Sequence, residues 1–503
     1  MNKFILDFSI LIICFAGYYS SFKFYKQNNF RLSILLILIS GLILRIYAGS
    51  DLFLHNWDER YHALVAKNFL DHPLIPTLYN NPVLPYYFQD WISNHIWLEK
   101  PPIPLLSMAL SLKFFGVNEI AVRIPSFLIS TFAIFLTYKI GSLLFSKKVG
   151  LIAAFLHSIN GLLIELAAGQ VSSDHVETFF LFFVELGIFL SIYAVYKNKS
   201  YLFSLLIGLV AGFSLLSKWN PGLIIIVVWF IGAYFSRQYS LQKLFINLLI
   251  ILATCFFVFG SSVTYIYILF PTESKYVLSK FILAYNETVD GHQGPLYFYI
   301  NDMRIVYGEL IYIPILLNIY FLFQKKISWK MAMLSAWWII PIIVFSFAET
   351  KRQTYMLIFA PAFFILISYY WFYLKFIISR INYRYTVIIL LFLLLALPIR
   401  YSFERLKIFQ QRDRNPQWSQ EIKNIKELIP EDKAVIIFNI ERPIETMFYN
   451  DCIAYPQIPD SRVIKNLQEK GYTIIINEDE NLDKADYVNN QNILFIKLLS
   501  IEK

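Results

Sequence analysis

Long apolar stretches alternate with short polar segments along the first four fifths of the chain. A helix needs about 20 mostly apolar residues to cross the hydrocarbon core of a bilayer, which is about 30 Å thick. The stretches that reach or nearly reach this length lie at roughly 4–20, 31–49, 121–145, 150–170, 175–195, 201–217, 219–236, 244–270, 297–323, 330–347, 354–373 and 384–400. The pattern predicts an all-α bundle of about twelve transmembrane helices.

Two regions break this pattern. Residues 50–120 form a long first loop, with a helix predicted from Glu59 to Leu70 and a short apolar helix after "KPP". After about residue 400 the chain becomes polar, and "AVIIFNI", "CIAYP", "YTIIIN" and "ILFIKLL" predict β-strands separated by helical patterns such as "DSRVIKNLQEKG". We therefore predict a transmembrane domain at 1–400 that includes the loop, and a small α/β domain at 401–503.

Composition supports a membrane protein and assigns its orientation. Hydrophobic residues make up 57% of the chain and charged residues 16%, against about 25% charged residues in soluble domains. The net charge of +9 is concentrated in short basic segments such as "KFYKQNNFR" and "QKKISWK", which the positive-inside rule places in the cytoplasm. The positive charge is therefore explained by membrane orientation and does not indicate nucleic-acid binding. The same rule places the long loop and the C-terminal domain outside the cytoplasm. The three cysteines match no disulfide or zinc pattern.

The segment "NWDERYHALVAKNFL" places Asp58, Glu59 and Arg60, followed by Tyr61, at the start of the predicted loop helix. Asp58 there is either an N-cap with Glu59 at the positive end of the helix dipole, or a carboxylate beside the membrane that acts as a general base.

Several cations lie on the predicted outer side, where the positive-inside rule does not require them. Lys100 follows Glu99 in "WLEKPPIPLL", Lys218 lies in "SKWNPG", and Lys351 lies in "ETKRQTY". A bound anion would explain this gathering, and the alternative is that each lysine extends to the membrane interface.

Another outer segment, "SSDHVETFF", has Asp174 and Glu177 three residues apart, which also suits a capping box. The histidines His175 and His292 could bind a divalent metal together with Glu99, although no His-x-x-x-His spacing supports such a site. The residues predict no other cofactor.

At these residues the chain resembles the GT-C membrane glycosyltransferases of the protein O-mannosyltransferase and lipid A aminoarabinose transferase type. The resemblance runs from about residue 50 to 375 and rests on "DERYHALVAKNFL", "WLEKPPIPLLSMALSLKFFGVNEIAVRIPSFL", "GQVSSDHVETFF", "SLLSKWNPGLIII" and "KRQTYMLIFAPAFFIL", in the order and spacing of the family. Two departures stand out. Two spans, where the family commonly has one, precede the first loop, and His292 lies before "GPLYFY", where the family often has an arginine.

The resemblance implies that a sugar passes from a polyprenyl-phosphate carrier to a glycan, lipid or protein acceptor on the outer face of the membrane. It implies that Asp58 is central to catalysis, with Glu59 or Asp174 positioning the acceptor or the sugar. It also implies that Lys100, Lys351 and Tyr355 face the carrier phosphate.

Two other function classes remain as alternatives. A secondary transporter would carry internal repeats and ionisable residues near mid-membrane, whereas this sequence shows no repeat and most of its conspicuous charges at the ends of predicted spans. A glycan polymerase or ligase would share the carrier lipid and the outer site, but would usually place its main loop late in the chain.

Overall fold

The chain folds into two compact units. The structure, a computed structural model, describes residues 3–90, 92–196, 200–289, 291–324, 327–378, 384–407, 410, 412–427, 429, 434–478 and 493–498. One unit, the membrane unit, comprises Met1–Gly49, Ser126–Gly169 and Ser173–Gln410. The other, the loop–tail unit, comprises Ser50–Pro125, Gln170–Ser172 and Gln411–Lys503. The division drawn from the sequence kept the loop with the bundle, whereas contacts group the loop with the tail.

Helices account for most of the described residues up to residue 406. The α-helices are α1 (Lys3–Lys26), α2 (Phe30–Ala48), α3 (Asp58–Asn68), α4 (Pro102–Phe115), α5 (Glu119–Leu144), α6 (Lys147–Ile159), α7 (Gly161–Ala167), α8 (Asp174–Tyr196), α9 (Tyr201–Lys218), α10 (Ile224–Ser236), α11 (Leu241–Leu269), α12 (Pro271–Asn286), α13 (Phe298–Tyr307), α14 (Tyr312–Leu322), α15 (Trp329–Phe347), α16 (Ala360–Ile378) and α17 (Arg384–Leu406). Short 3-10 helices lie at Asn220–Leu223, Glu309–Ile311, Gln353–Phe359 and Ile425–Glu427. The predicted loop helix is confirmed as α3, and the short apolar helix after "KPP" as α4.

Within the described residues, nine helices are long and apolar enough to cross a membrane, or up to eleven if each bent pair counts as one span. The bent pairs are α6 with α7, at 58°, and α13 with the helices that follow it up to Leu322, at 119°. The predicted span at 219–236 forms the apolar segment Asn220–Ser236, which is shorter than the others. The predicted polytopic bundle is confirmed. The sequence predicted about twelve spans, and the structure gives fewer because two of the predicted spans are bent pairs of helices and one, Asn220–Ser236, is short.

The membrane unit buries ionisable side chains inside the bundle. Glu185 lies near the middle of α8, is fully buried, and accepts a hydrogen bond from Thr137 Oγ1 at 2.8 Å. The same hydroxyl lies 2.8 Å from Nδ1 of the buried His157, and buried Arg45 donates to Ser130 at 2.6 Å. The sequence-based expectation of charges mainly at span ends overlooked this interior cluster, because a single Glu or Arg barely lowers the hydropathy of a 20-residue stretch.

The tail forms a four-stranded parallel sheet. Its strands are β1 (Val435–Phe438), β2 (Ile453–Ala454), β3 (Thr473–Asn477) and β4 (Ile493–Ile496), and its helices are α18 (Gln417–Asn424), α19 (Pro443–Tyr449) and α20 (Ser461–Glu469). The strand order is β2-β1-β3-β4, with Ile436 paired to Ile453 and to Ile474. All four predicted strands are confirmed. Strands of parallel sheets are commonly buried on both faces and therefore read as continuous apolar runs, as β1 and β3 do.

The loop and the sheet share one hydrophobic core. Tyr61, Leu64 and Val65 of α3 belong to the same buried cluster as Ile436 of β1 and Ile475 of β3. Their spacing of three and four residues along α3 is that of an amphipathic helix with one apolar face. Each such side chain, when fully buried, contributes about 1.5–3 kcal/mol. The first turn of α3 is therefore held on a rigid base that the loop and the tail form together.

Candidate functional site

Asp58 is the first residue of α3 and forms an ion pair with Lys100. Lys100 Nζ donates to Asp58 Oδ2 at 3.1 Å, and the two side chains are 21% and 14% exposed. Trp57, with φ of 70°, occupies the N-cap position and makes no capping hydrogen bond with its side chain. Asp58 is therefore not the N-cap that one interpretation of the sequence expected. Its carboxylate lies partly open to solvent beside a cation.

Lys100 is placed by the start of α4. Pro101 is the N-cap, and Pro102 is the first residue of the helix. A backbone N–H at that position would have no acceptor within the helix, so proline, which lacks one, fits there without loss. The positive end of a helix dipole disfavours a nearby cation. Lys100 therefore depends on negative charge, and in this structure Asp58 supplies it.

Glu59 has a different environment from its neighbour. It is 1% exposed, and its carboxylate forms two hydrogen bonds with the fully buried Arg123, at 2.7 Å from Nε and 2.9 Å from Nη2. Its Oε2 atom also accepts the backbone N–H of His55 at 2.6 Å. A bidentate pair of this kind both stabilises the two side chains and fixes their relative orientation. Glu59 therefore ties α3 to α5.

Asp51 anchors the beginning of the loop to the tail. It is fully buried, lies 2.9 Å from His55 Nε2, and pairs with Arg412 and with Arg414. Burial raises the pKa of Asp51, but the His55 hydrogen bond and the two arginines outweigh it, so the pKa is lowered overall. The carboxylate is thus kept ionised and structural.

Arg60 and Tyr61 face the tail and the core, respectively. Arg60 Nη1 donates to Glu445 Oε1 at 3.3 Å. Tyr61 is 2% exposed, and its ring stacks on Trp97 with centroids 6.3 Å apart. Burial raises the pKa of the Tyr61 phenol. Tyr61 is therefore a core residue, and Arg60 links the loop to α19.

In the membrane unit, the structure brings Lys218 and Tyr355 together. Lys218 Nζ forms an ion pair with Glu177 and lies 4.5 Å from the centroid of the Tyr355 ring. Lys351 is 6% exposed, and its Nζ donates to the carbonyl of Ala348 at 2.6 Å. Among the described residues, no carboxylate pairs with Lys351. A buried ammonium without a counter-ion is costly, so this position favours an anion.

Asp174, the first residue of α8, and His175 are both fully buried. His175 Nδ1 lies 2.8 Å from Ser126 Oγ. The backbone carbonyl of the exposed His292 accepts the N–H of Lys351 at 3.0 Å, and Glu99 is half-buried before α4. No group of three or more His, Cys, Asp or Glu suited to a metal occurs among the residues described. The described geometry thus gives no support to the metal site that the sequence left open.

Several charged residues of the loop–tail unit escaped the sequence interpretation, above all Arg123, Arg414 and Arg442. Arg123 is the one with a readable signal, because it is an arginine within the apolar segment that becomes α5. An arginine is costly in such a setting and usually has a specific partner. The others lie in ordinary polar sequence.

Comparison with known proteins identifies relatives for part of the sequence. Residues 99–263 match the family model described as dolichyl-phosphate-mannose-protein mannosyltransferase. Two uncharacterized proteins of Aquifex aeolicus (strain VF5) are 24% identical over 334 residues and 25% identical over 355 residues. These alignments cover 65% and 68% of this chain, and 62% and 73% of the relatives. The chain thus spans less than two thirds of the first relative.

Solved structures match most of the fold. ArnT from Cupriavidus metallidurans bound to undecaprenyl phosphate has a TM-score of 0.59 at 12% identity, covering 86% of this chain and 87% of that chain. The archaeal oligosaccharyltransferase AglB from Archaeoglobus fulgidus, in complex with an inhibitory peptide and a dolichol-phosphate, has a TM-score of 0.53 at 14% identity, covering 84% and 64%. The chain is therefore a multi-pass membrane protein with the GT-C fold that its sequence resemblance predicted.

Proposed function

We propose that the protein transfers a sugar from a polyprenyl-phosphate carrier to an acceptor on the outer face of the membrane. The observation that carries this proposal is the ion pair between Asp58 and Lys100, held at 3.1 Å where both side chains stay partly exposed. The solved GT-C neighbours include one bound to undecaprenyl phosphate and one bound to a dolichol-phosphate. The family matched by residues 99–263 is likewise described by a dolichyl-phosphate sugar.

Sugar transfer from a polyprenyl phosphate requires a general base and a positive charge near the phosphate. A polyprenyl phosphate is a good leaving group, so catalysis mainly requires removal of a proton from the acceptor and stabilisation of charge on the departing phosphate. Asp58 takes the proton from the acceptor hydroxyl or amine. Lys100 has three N–H donors, so one ammonium can bind both a carboxylate and a phosphate oxygen. Direct displacement then inverts the anomeric carbon.

Lys351 is our second candidate for contact with the carrier phosphate. It is buried and pairs with no carboxylate among the described residues, and an anionic headgroup would provide the missing counter-charge. Tyr355 lies on the 3-10 helix Gln353–Phe359, which begins two residues after Lys351, and Lys218 lies over its ring. Asp174 remains a candidate for positioning the sugar or the acceptor. The burial of Glu59 against Arg123 makes Asp58 the stronger candidate for the base.

The buried Glu185 and His157 are a feature that a transporter would share. The matches to ArnT and AglB, whose fold spans both units of the chain, favour a transferase instead. The lipid that copurifies with the protein discriminates between the two. We expect mass spectrometry to identify a polyprenyl phosphate or its glycosylated form, and its absence from protein purified in mild detergent would contradict the proposal.

Replacing Lys100 with alanine is expected to weaken binding of undecaprenyl phosphate, measured by native mass spectrometry on the detergent-solubilised protein. A hydrogen bond to a charged group contributes about 1.5–3 kcal/mol, which corresponds to roughly 10–150-fold in affinity. The matched control is Lys113→Ala, which removes an exposed lysine in the last turn of the same helix, α4. Equal affinity in both variants would remove Lys100 from the phosphate site.

The predicted orientation of the protein in the membrane can be tested by labelling single cysteines. Residues 50–120 and the tail are predicted on the outer side, and the loop between α5 and α6 in the cytoplasm. Single cysteines at the exposed Asn81 and Lys470 are expected to react with an impermeant maleimide in intact cells, and one at Lys148 only after permeabilisation. The three native cysteines are first replaced by serine. The reverse labelling pattern would show that the orientation is wrong. Asn490, in the tail predicted to lie outside the cytoplasm, would serve the same test but lies outside the described residues.

A further inference from the structure

A small pocket opens beside the first turn of α3. Its volume is about 260 Å³, and its lining comes from both parts of the loop–tail unit: Asn56, Trp57, Arg60, Glu441 and Arg442. Three of these residues, Asn56, Trp57 and Arg60, lie within two positions of Asp58 in sequence. One helical turn rises only about 5.4 Å, so the backbone of Asp58 lies within about one turn of these residues, although Asp58 itself does not line the pocket.

The two arginines are fixed before any ligand arrives. Arg60 and Arg442 both donate to Oε1 of the fully buried Glu445, at 3.3 Å and 3.0 Å. Arg442 also donates to Asn56 Oδ1 at 3.0 Å, and its guanidinium lies 3.9 Å from the centroid of the Trp418 ring. The Nε atoms of both arginines are buried and have no hydrogen-bond partner among the described residues. The pocket thus contains rigidly held donors.

Trp57 contributes a large exposed apolar surface at the same place. Trp57 is 69% exposed, although Leu54 and His55, shortly before it, are buried. Its backbone has φ of 70°, a region that is sterically unfavourable for residues other than glycine. Such strain persists where the surrounding structure imposes it, and it clusters at ligand sites. The fold therefore holds an indole ring open to solvent at the rim of the pocket.

The chemistry of this lining selects a class of ligand. Arg60 and Arg442 supply donors, whereas exposed Glu441 and the Asn56 amide supply acceptors. The charges of Glu441 and Glu445 balance those of the arginines, so the pocket has no net attraction for a simple anion. Sugar hydroxyls both donate and accept hydrogen bonds, and the C–H face of a sugar ring packs on an aromatic ring. The volume is below the roughly 300–1,000 Å³ of pockets for drug-sized ligands, which suits one sugar ring.

We propose that this pocket binds a saccharide unit of the acceptor, so that the tail domain helps to choose what is glycosylated. Its assignment to the acceptor rests on the proposed sugar transfer, whereas binding of a saccharide does not. The lining includes two residues of the polar tail, Glu441 and Arg442, and neither of the candidate contacts for the carrier phosphate, Lys100 and Lys351. This placement favours the acceptor over the donor.

The test is saturation-transfer NMR on the full-length protein in detergent. The probes are the methyl glycosides of glucose, galactose, mannose, N-acetylglucosamine and glucuronic acid. We expect at least one to bind, with about 3–10-fold weaker binding in Trp57→Gly, since an aromatic contact contributes about 0.5–1.5 kcal/mol. Glycine suits the positive φ, and Trp57→Phe should retain most of the binding. Tyr87→Ala, which removes another exposed aromatic residue of the same unit, is the control.

The same measurement on Asp58→Asn separates this inference from the proposed function. Saccharide binding that persists in Asp58→Asn and falls in Trp57→Gly and Glu441→Gln supports the pocket, whatever the rate of transfer. Binding that is unchanged in Trp57→Gly would make the indole a membrane-interface anchor and overturn the inference. The absence of saturation transfer to all five probes would overturn it as well.

Discussion

Replacing Asp58 with asparagine is expected to slow sugar transfer by about 10²–10⁴-fold, because asparagine keeps the size of the side chain but cannot take a proton. The measurement is the transfer rate from the polyprenyl-phosphate sugar that mass spectrometry identifies, using purified protein. Asp58 is partly exposed, and asparagine keeps an oxygen that can still accept a hydrogen bond from Lys100, so the fold should tolerate the change. An unchanged thermal midpoint in detergent would separate lost chemistry from lost structure.

The control for this variant is Asp71→Asn, which alters an exposed acid of the same unit that contacts Asn80. Its transfer rate should equal that of the parent protein. A well-folded Asp58→Asn protein that keeps more than about a tenth of the parent rate would contradict the assignment of Asp58 as the base. Asp174 would then be the next carboxylate to examine.

Replacing Arg123 with methionine is expected to destabilise the protein by about 3–5 kcal/mol, because it leaves the Glu59 carboxylate buried without its partner. For folding units of 150–250 residues, each kcal/mol lowers the thermal midpoint by about 2–4 °C. The measurement is thermal unfolding in detergent. The double variant Glu59→Leu with Arg123→Met should cost less than the two single changes added together, because neither charge is left unpaired.

The control here is Asp451→Asn, since that carboxylate is 97% exposed and its contact with Lys67 is a surface pair. We expect its thermal midpoint to match that of the parent protein. Glu59→Gln distinguishes a structural from a catalytic Glu59. A structural role predicts a lower midpoint with a near-normal transfer rate per folded molecule. A normal midpoint with a large loss of rate would make Glu59 the base instead.

Much of the fold is predictable because the dominant energetic constraint is local. A bilayer offers no water to satisfy backbone groups, so each crossing must be a long apolar helix, and the sequence displays it directly. The strands β1 and β3 are visible for a related reason, since a parallel strand buried on both faces is a continuous apolar run. The bend of 119° after α13 and the shortness of Asn220–Ser236 depend on packing, and hydropathy does not report them.

The candidate site, like the fold, was predictable from the sequence only in part. The sequence by itself placed acids and cations at the ends of spans and singled out Asp58 and Lys100, which the structure joins at 3.1 Å. The preference for Asp58 over Glu59 came from the family resemblance, because two adjacent acids look alike in a pattern of charge and hydropathy. In the structure, Arg123 of α5 pairs with the buried Glu59, whereas Asp58 stays partly exposed.

The sequence determined that this is a multi-pass membrane protein with a structured first loop and an α/β tail, because the spacing of apolar residues encodes those elements locally. Only the tertiary structure decided that the loop and the tail share one core. It alone decided that Glu185 lies buried in the bundle and that Arg442 lines a pocket with Trp57. The physical reason is that burial, pairing and pocket shape arise from residues hundreds of positions apart, whose proximity no local pattern of hydrophobicity records.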